Sequence, residues 1–316
     1  MNEINNKKKL VVITGPTAVG KTELSIYLAK KINGSIISAD SIQIYKYMDI
    51  GSAKITKEEM QGVKHYLVDE LYPDEEFNIY KFKQMAKAAM EEIYAEGKIP
   101  IIVGGTGFYI QSVIYDVEFD DNENDYTYRN ELEELVKEKG CEYVHGLLKE
   151  VDPEAAESIH MNNSKRVIRA LEFFHQTGKK ISEHNEEQKA KESPYDFRYF
   201  VLNRDRDVIY DRINKRIDIM IDNGLVDEVD MLLKKGYSRD LVSMQGLGYK
   251  EIASYLQGEM SLEEAIYILK RDTRHFAKRQ LTWFRREQDV IWMDYEVYHN
   301  DIMLMGDKMT DLIFEN

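Results

Sequence analysis

The stretch GPTAVGKT, residues Gly15 to Thr22, constrains this chain more than any other feature, because the pattern GxxxxGK[ST] works where a strand runs into a helix. Both flanks supply that context: the apolar run LVVIT precedes it and ELSIYLAKKI follows with helical character. Gly15 and Gly20 permit the tight turn, and the segment Gly15, Pro16, Thr17, Ala18, Val19, Gly20, Lys21 and Thr22 can then wrap a phosphate group. Loop amides donate to it, Lys21 brings a point charge, and the Thr22 hydroxyl can hold Mg²⁺. The positive N-terminus of the following helix adds to the attraction. Which polyphosphate binds stays open at this point, since nucleotide hydrolysis, phosphoryl transfer and expulsion of diphosphate could all begin here.

Around this loop the first third of the chain alternates strand and helix: KLVVITG, KTELSIYLAKKI, GSIISAD, KHYLVDEL, IYKFKQMAKAAMEEIYAEG and KIPIIVGGTG, of which the second and fifth read as helices. This rhythm predicts an α/β fold with a parallel, P-loop NTPase-like sheet core, whose ligands sit beyond the carboxyl ends of the strands. Three polar punctuations fall at such ends: Gly15 to Thr22, Asp40 to Gln43, and Gly104 to Gly107. From about Phe119 the pattern turns helical, with no convincing strand until FRYFVLN near residue 200. The expected organisation is therefore a discontinuous core of residues 1–118 and 200–316, interrupted by an all-helical insertion at 119–199. Two further helices, a loop at SMQGLGYKEI, a basic helix and a last strand at DVIWMD complete the core.

The formal net charge of −14 argues against indiscriminate binding to nucleic acid. Distribution can override the total, however. KRDTRHFAKRQLTWFRR, Lys270 to Arg286, sets seven Lys and Arg residues against Asp272 alone. In isolation such a run reads as a solvated helix face. The lone Cys141 allows no intrachain disulfide, the apolar run before Gly15 is too short for a signal core, and no stretch is long enough to span a membrane. A cytoplasmic protein, with no membrane partner, is the expectation. DDNEND, Asp120 to Asp125, reads as a solvated acidic loop, and His65, His160, His175, His184 and His275 show no metal-ligand spacing.

Asp40 ends a predicted strand, where its carboxylate could cap a turn, bind Mg²⁺ through water or act as a general base; the residues leave the three readings open. Asp69 is the competing carboxylate on the metal side. Thr106, within VGGTG, can approach a ligand closely because its neighbours are glycines. Arg212 and Arg216 stand four apart, hence on one helix face, either as surface ion-pair partners of Asp211 or Asp218 or as phosphate-facing cations.

Taken together, these residues resemble one family, the tRNA dimethylallyltransferases or tRNA isopentenyltransferases. The resemblance rests on GPTAVGKT, DSIQIYKYMDIGSAK, KHYLVDELYPDEEFNIYKF, PIIVGGTGFYIQSV, VDPEAAESIHMNNSKRVIRALE, DRINKRI, MQGLGYKEI and TRHFAKRQLTWFRR, in family order from about residue 10 to 290. It implies transfer of a dimethylallyl group from dimethylallyl diphosphate to N6 of adenosine 37 in tRNA, with diphosphate leaving and Mg²⁺ as cofactor. It implies Asp40 as the base, Thr106 as an aligning group, and Arg216 with Lys21 as stabilisers of the diphosphate, Arg212 binding beside them. It assigns contact with the anticodon stem-loop to Asp40, Ser41, Ile42 and Gln43; to Lys165, Arg166, Val167, Ile168 and Arg169; to Gln245, Gly248, Tyr249 and Lys250; and to Arg274, Lys278 and Arg279 of the basic helix. The helical insertion would grip the stem, and the enzyme would act as a monomer. A P-loop small-molecule kinase, an adenylate isopentenyltransferase using free AMP or ATP, and a non-enzymatic RNA-binding module are the competing readings. The basic helix and inserted block favour tRNA over a free nucleotide, and the phosphate loop with Asp40 speaks for an enzyme.

Overall fold

Strands β1 (Lys8–Thr14), β2 (Gly34–Ala39), β3 (His65–Tyr66), β4 (Ile99–Gly104), β5 (Tyr195–Asn203) and β6 (Val290–Asp294) form one sheet in the computed structural model, which describes residues 7–118, 127–189 and 191–315. All neighbours are parallel and the order is β3-β2-β4-β1-β5-β6. Because helices cover both faces of a parallel sheet, its strands are near-continuous apolar runs: Leu10, Val11, Val12 and Ile13 are at most 1% exposed. Register then lines up the carboxyl ends. Thr14 lies opposite Gly104 and Val201, Ala39 opposite Gly104, and Asn203 opposite Asp294. Whatever follows these residues shares one edge of the sheet.

The helices are α1 (Lys21–Lys31), α2 (Lys57–Met60), α3 (Ile79–Ala95), α4 (Gly107–Ile114), α5 (Thr127–Val151), α6 (Pro153–Ser158), α7 (Ser164–Thr177), α8 (Ile181–Lys189), α9 (Arg206–Asp222), α10 (Leu225–Lys234), α11 (Tyr249–Leu256), α12 (Leu262–Phe284) and α13 (Ile302–Phe314). Helix α13 was not anticipated by the strand-helix rhythm. Its Met305, Met309 and Ile313 join Leu24 and Leu28 of α1 in one apolar cluster. Gly306 is needed there, since a Cβ would sit 2.4 Å from the Tyr27 ring.

The chain divides into two compact units, one ending at Ile114 and resuming at Pro194, the other running from Tyr115 to Ser193. The expected edge at 199/200 would cut through β5. Seven register pairs, Lys8 with Tyr195 through Thr14 with Val201, put that whole strand in the sheet. Strand β3 is also shorter than KHYLVDEL suggested, because Leu67 and Asp69 take left-handed backbone angles, φ 61 and 58, that end the extended run. The acidic stretch Asp120 to Asp125 lies outside the described residues.

The second unit is helical among its described residues. Helix α5 breaks at Gly140, φ 83, and Leu132, Val144, Leu148, Ala156, Val167 and Leu171 form its core with their neighbours. Asp152 caps α6 through Ala155 N at 3.0 Å and also accepts from Ser182 N and Oγ at 3.0 and 2.7 Å, tying α6 to α8. Burial pushes its carboxyl upward, but these hydrogen bonds outweigh it and hold the group below the usual carboxylate range. No described helix of the chain is long and apolar enough to cross a membrane.

Candidate active site

The segments that follow the strand ends build the site: Gly15 to Gly20 after β1, Asp40 after β2, Gly105 and Thr106 after β4, Arg204 after β5 and Tyr295 after β6. In the glycine loop, nearly every carbonyl is held by a donor. Lys21 Nζ donates to Gly15 O and Pro16 O at 3.0 Å each, Arg212 Nε to Ala18 O at 2.7 Å, Arg204 Nε to Val19 O at 2.9 Å, and Tyr295 Oη to Gly20 O at 3.1 Å. A trans peptide points its C=O and the next N–H in opposite directions. Arg204 and Tyr295 therefore turn the amides of Gly20 and Lys21 away from themselves, at the N-terminus of α1 where anions bind. The Arg204 guanidinium lies 3.5 Å from the centroid of the Tyr295 ring, so the two braces also hold each other. Gly20 is required at φ 114, where a Cβ would come within 2.7 Å of Tyr295 Oη.

Electrostatics converge on the same place. Desolvation lowers the Lys21 ammonium to about 8, with the Arg216 charge adding to the fall and Asp40 opposing it. Arg216 is likewise lowered, by burial first and then by Arg212, again against Asp40. Arg216 thus repels both Lys21 and Arg212 around a loop of amide donors, with Asp40 as a carboxylate near Lys21 and Arg216. Such a gathering favours a multiply charged anion. The ion-pair reading of the arginines fails, because Asp211 pairs with Lys215 at 2.7 Å and Asp218 with Lys270 at 2.5 Å.

Asp40 serves a turn and leaves half of its carboxylate over. Its Oδ1 accepts from Ile42 N at 2.9 Å and Gln43 N at 3.3 Å, while Oδ2 takes no hydrogen bond from the described residues. The loop it opens is pinned further on by Glu228 of α10. Glu228 Oε2 accepts from Asp49 N and Ile50 N at 2.9 and 2.7 Å, and Oε1 from Gly51 N at 3.1 Å and Tyr249 Oη at 2.8 Å. Asp69 is occupied by Lys54, at 2.5 Å, which also pairs with Asp49 at 2.6 Å.

Helix α12 closes the remaining side. Gln280, 6% exposed, accepts from Thr17 N at 2.8 Å and donates to Gly105 O at 3.1 Å. The amide of Thr17 is therefore spent on Gln280, which corrects the expectation that this residue's N–H joins the phosphate cradle. The glycines of VGGTG are explained by approach rather than by turning: a Cβ on Gly105 would lie 2.1 Å from Gln280 Nε2, and one on Gly107 2.1 Å from Trp283 Nε1. Thr106 sits half-buried between these two contacts.

Several candidate contact residues divide differently from their motifs. Val167 and Ile168 are 1% and 6% exposed in the core of the helical unit, leaving Lys165, Arg166 and Arg169 on the surface of α7. Tyr249, fully buried and bonded to Glu228, is a structural residue and no surface contact. Gln245 is exposed with its Nε2 donating to Arg239 O at 2.7 Å; Gly248 is buried at φ 94; Lys250 Nζ lies 3.4 Å from Glu251 Oε1. Ile42 reaches this loop, its Cδ1 lying 3.2 Å from where a Gly246 Cβ would be. In the basic helix, Arg274 bonds Asn214 at 2.7 Å and Lys270 pairs with α9, whereas Lys278, Arg279, Arg285 and Arg286 are exposed and make no ion pair with any described residue.

The family model described as IPP transferase matches residues 43–287. A tRNA dimethylallyltransferase of Lachnoclostridium phytofermentans is 64% identical over 300 residues, 95% of this chain and 96% of that protein. One of Acetivibrio thermocellus is 55% identical over 292 residues, covering 92% and 93%. The chain belongs to the tRNA dimethylallyltransferase family. The crystal structure of the full-length tRNA isopentenylpyrophosphate transferase of Bacillus halodurans is 46% identical with a TM-score of 0.73, covering 97% of each chain. A eukaryotic dimethylallyltransferase, described as acting on tRNA, is 30% identical with a TM-score of 0.83 over 97% of this chain and 79% of that one. Members of this family are transferases, and the α/β fold is common to them. The family match begins at Gln43, so the glycine loop and Asp40 lie ahead of it. Arg204, Glu228, Gln280 and Tyr295 were not singled out from the sequence. Each acts on a loop far away along the chain, and no local pattern marks it.

Proposed function

We propose that this protein transfers the dimethylallyl group of dimethylallyl diphosphate to N6 of adenosine 37 in tRNA and releases diphosphate. The observation that carries the reading is the free Oδ2 of Asp40 beside Lys21 and Arg216: a carboxylate able to take a proton next to a cradle able to hold a departing anion. The adenine amino group is a weak nucleophile, so a base within hydrogen-bond reach must accept its proton as it attacks. In the step proposed, N6 bonds to C1 of the allylic chain, the C1–O bond breaks with its electron pair passing to diphosphate, and the N6 proton goes to Asp40 Oδ2. Lys21, Arg212, Arg216 and the amides of Gly20 and Lys21 stabilise the charge that develops on the leaving group. Thr106 aligns the reacting groups.

Mg²⁺ suits the donor set, because that ion keeps several waters and needs only one or two protein oxygens beside those of the diphosphate. Thr22, exposed at the first turn of α1, would hold it, and bound there it would neutralise leaving-group charge. Adenosine 37 must leave its stack to reach a recessed base, which costs a few kcal/mol and is easiest in a single-stranded loop. The unpaired cations Lys278 and Arg279, with Lys165, Arg166 and Arg169 of the helical unit, are suited to tRNA phosphates. We place the enzyme in the cytoplasm, consistent with its single cysteine, acting as a monomer.

Incubation with undermodified tRNA and labelled dimethylallyl diphosphate, followed by nucleoside analysis, tests the reading. Label in N6-dimethylallyladenosine at position 37 is the expected result. Label on free AMP, or turnover of ATP with a small acceptor and none on tRNA, would overturn it.

A further inference from the structure

Gln280 is a buried amide whose two ends are used on two different loops. Its Oε1 accepts the Thr17 amide of the glycine loop, and its Nε2 donates to the Gly105 carbonyl one residue before Thr106. No other described side chain bonds both loops. Their parent strands pair side by side as far as Thr14 opposite Gly104, where Thr14 Oγ1 also donates to Gly104 O at 2.7 Å. Beyond that point the ladder ends, and among the described side chains Gln280 alone bonds both loops. Trp283, one turn further along α12, presses on Gly107 from the other side of Thr106. The two α12 residues thus bracket the threonine.

We propose that Gln280 is a positioning residue of the transfer reaction: it fixes the spacing between the loop that grips diphosphate and the threonine loop that aligns the allylic chain. This rests on the function proposed above. A misplacement of about 1 Å between reacting groups can cost on the order of 100-fold in rate, so a fixed strut across two irregular loops has a purpose beyond holding α12 in place. The strut needs one acceptor and one donor at the same carbon, which an amide supplies. A protonated carboxyl supplies them too, and a carboxylate does not.

That chemistry gives the test. Gln280→Met keeps the volume and loses both bonds. Gln280→Glu restores both only while protonated. Steady-state constants for dimethylallyl diphosphate and tRNA are measured for both variants and the parent between pH 5.5 and 8.5, with active-site concentration taken from single-turnover amplitude and folding checked by thermal melting. The groups of the adjoining cradle that titrate or carry charge, Lys21, Asp40, Arg212 and Arg216, are common to all three proteins, so their titrations cancel in the ratio of the uncharged Gln280→Met to the parent. Expected for Gln280→Met is a kcat/KM for dimethylallyl diphosphate lowered roughly 10- to 100-fold at every pH, with the tRNA dissociation constant within about twofold of the parent. For Gln280→Glu the ratio to the parent should rise as pH falls. A parent-like kcat/KM in Gln280→Met, a loss explained wholly by fewer active sites, or a pH-independent Gln280→Glu ratio would overturn the proposal. A parent protein that modifies no tRNA at all would instead remove the function on which it rests, and the strut's role with it.

Discussion

Donors on carbonyls dominate the bracing of the loop after β1 and acceptors on amides that of the loop after β2, although Gln280 also takes the Thr17 amide of the first and Lys54 the Tyr45 carbonyl of the second. The glycine loop has its carbonyls taken by donors, Lys21, Arg204, Arg212 and Tyr295, brought from α1, α9 and the ends of β5 and β6. The loop that opens with Asp40 has its amides taken by acceptors, Asp40 Oδ1 at its start and Glu228 at Asp49, Ile50 and Gly51. The sign of the bracing matches the task proposed for each loop. A loop that must offer N–H groups to an anion has its carbonyls turned outward and satisfied by positive or hydroxyl donors. A loop that must offer a carboxylate can afford a second, buried carboxylate only if backbone amides satisfy it fully, which Glu228 achieves with three of them and a tyrosine hydroxyl.

The contrast can be broken one brace at a time. Among the braces of the two loops the largest effect is expected from Lys21→Met, which should slow transfer by roughly 100- to 1,000-fold, as loss of a charge-stabilising donor does. The same change alters stability with a definite sign. The native Lys21 titrates near 8 against an ordinary 10.5, so between those values the unfolded chain holds a proton that the native site has released. Stability of the parent therefore rises with pH through that window, and the cost of burying the charge is fully present below about 8. Lys21→Met should abolish this rise and melt higher than the parent at pH 7, by thermal denaturation. Next, Glu228→Ala leaves three amides and the Tyr249 hydroxyl without their acceptor. It should cost about 3 kcal/mol in urea unfolding, more than any single brace of the glycine loop.

A third change tests the surface side of α12. Replacing Lys278 and Arg279 together by Ala should reduce the slope of log affinity for tRNA against log salt by about 1.4, on ~0.7 per single-strand phosphate. Replacing Lys270 and Arg274, which are tied to α9, should move that slope little. The smallest effect is Tyr295→Phe, which removes one bond to Gly20 O and should cost about 1 kcal/mol in stability. It should also raise the KM for dimethylallyl diphosphate a few-fold, measured at saturating tRNA.

The difference between the loops also explains what the sequence disclosed. Gly15 to Thr22 is legible because its donors are contiguous backbone, so pattern and mechanism coincide. Asp40 is legible as a carboxylate at a strand end, while the base role proposed for it is not, because the same residue also caps a turn. Arg204, Glu228, Gln280 and Tyr295 are opaque, since each reaches its partner across at least 170 residues or from a separate element. Motifs read as blocks misplace side chains for a simpler reason. In KRVIR the helical period turns Val167 and Ile168 inward and the cations outward, and in QGLGYK the Tyr249 ring points at Gly51. Likewise Lys270, Arg274, Lys278 and Arg279 look alike along the chain, and only the packing of α9 separates the paired from the free.

The division of labour between the two loops has one direct test, calorimetric titration of dimethylallyl diphosphate into Asp40→Asn alongside its rate of transfer to tRNA. The account predicts binding equal to or tighter than the parent's, because a negative charge near the cradle is gone, with transfer slower by roughly 1,000-fold. Binding lost together with transfer, or transfer kept, would contradict it.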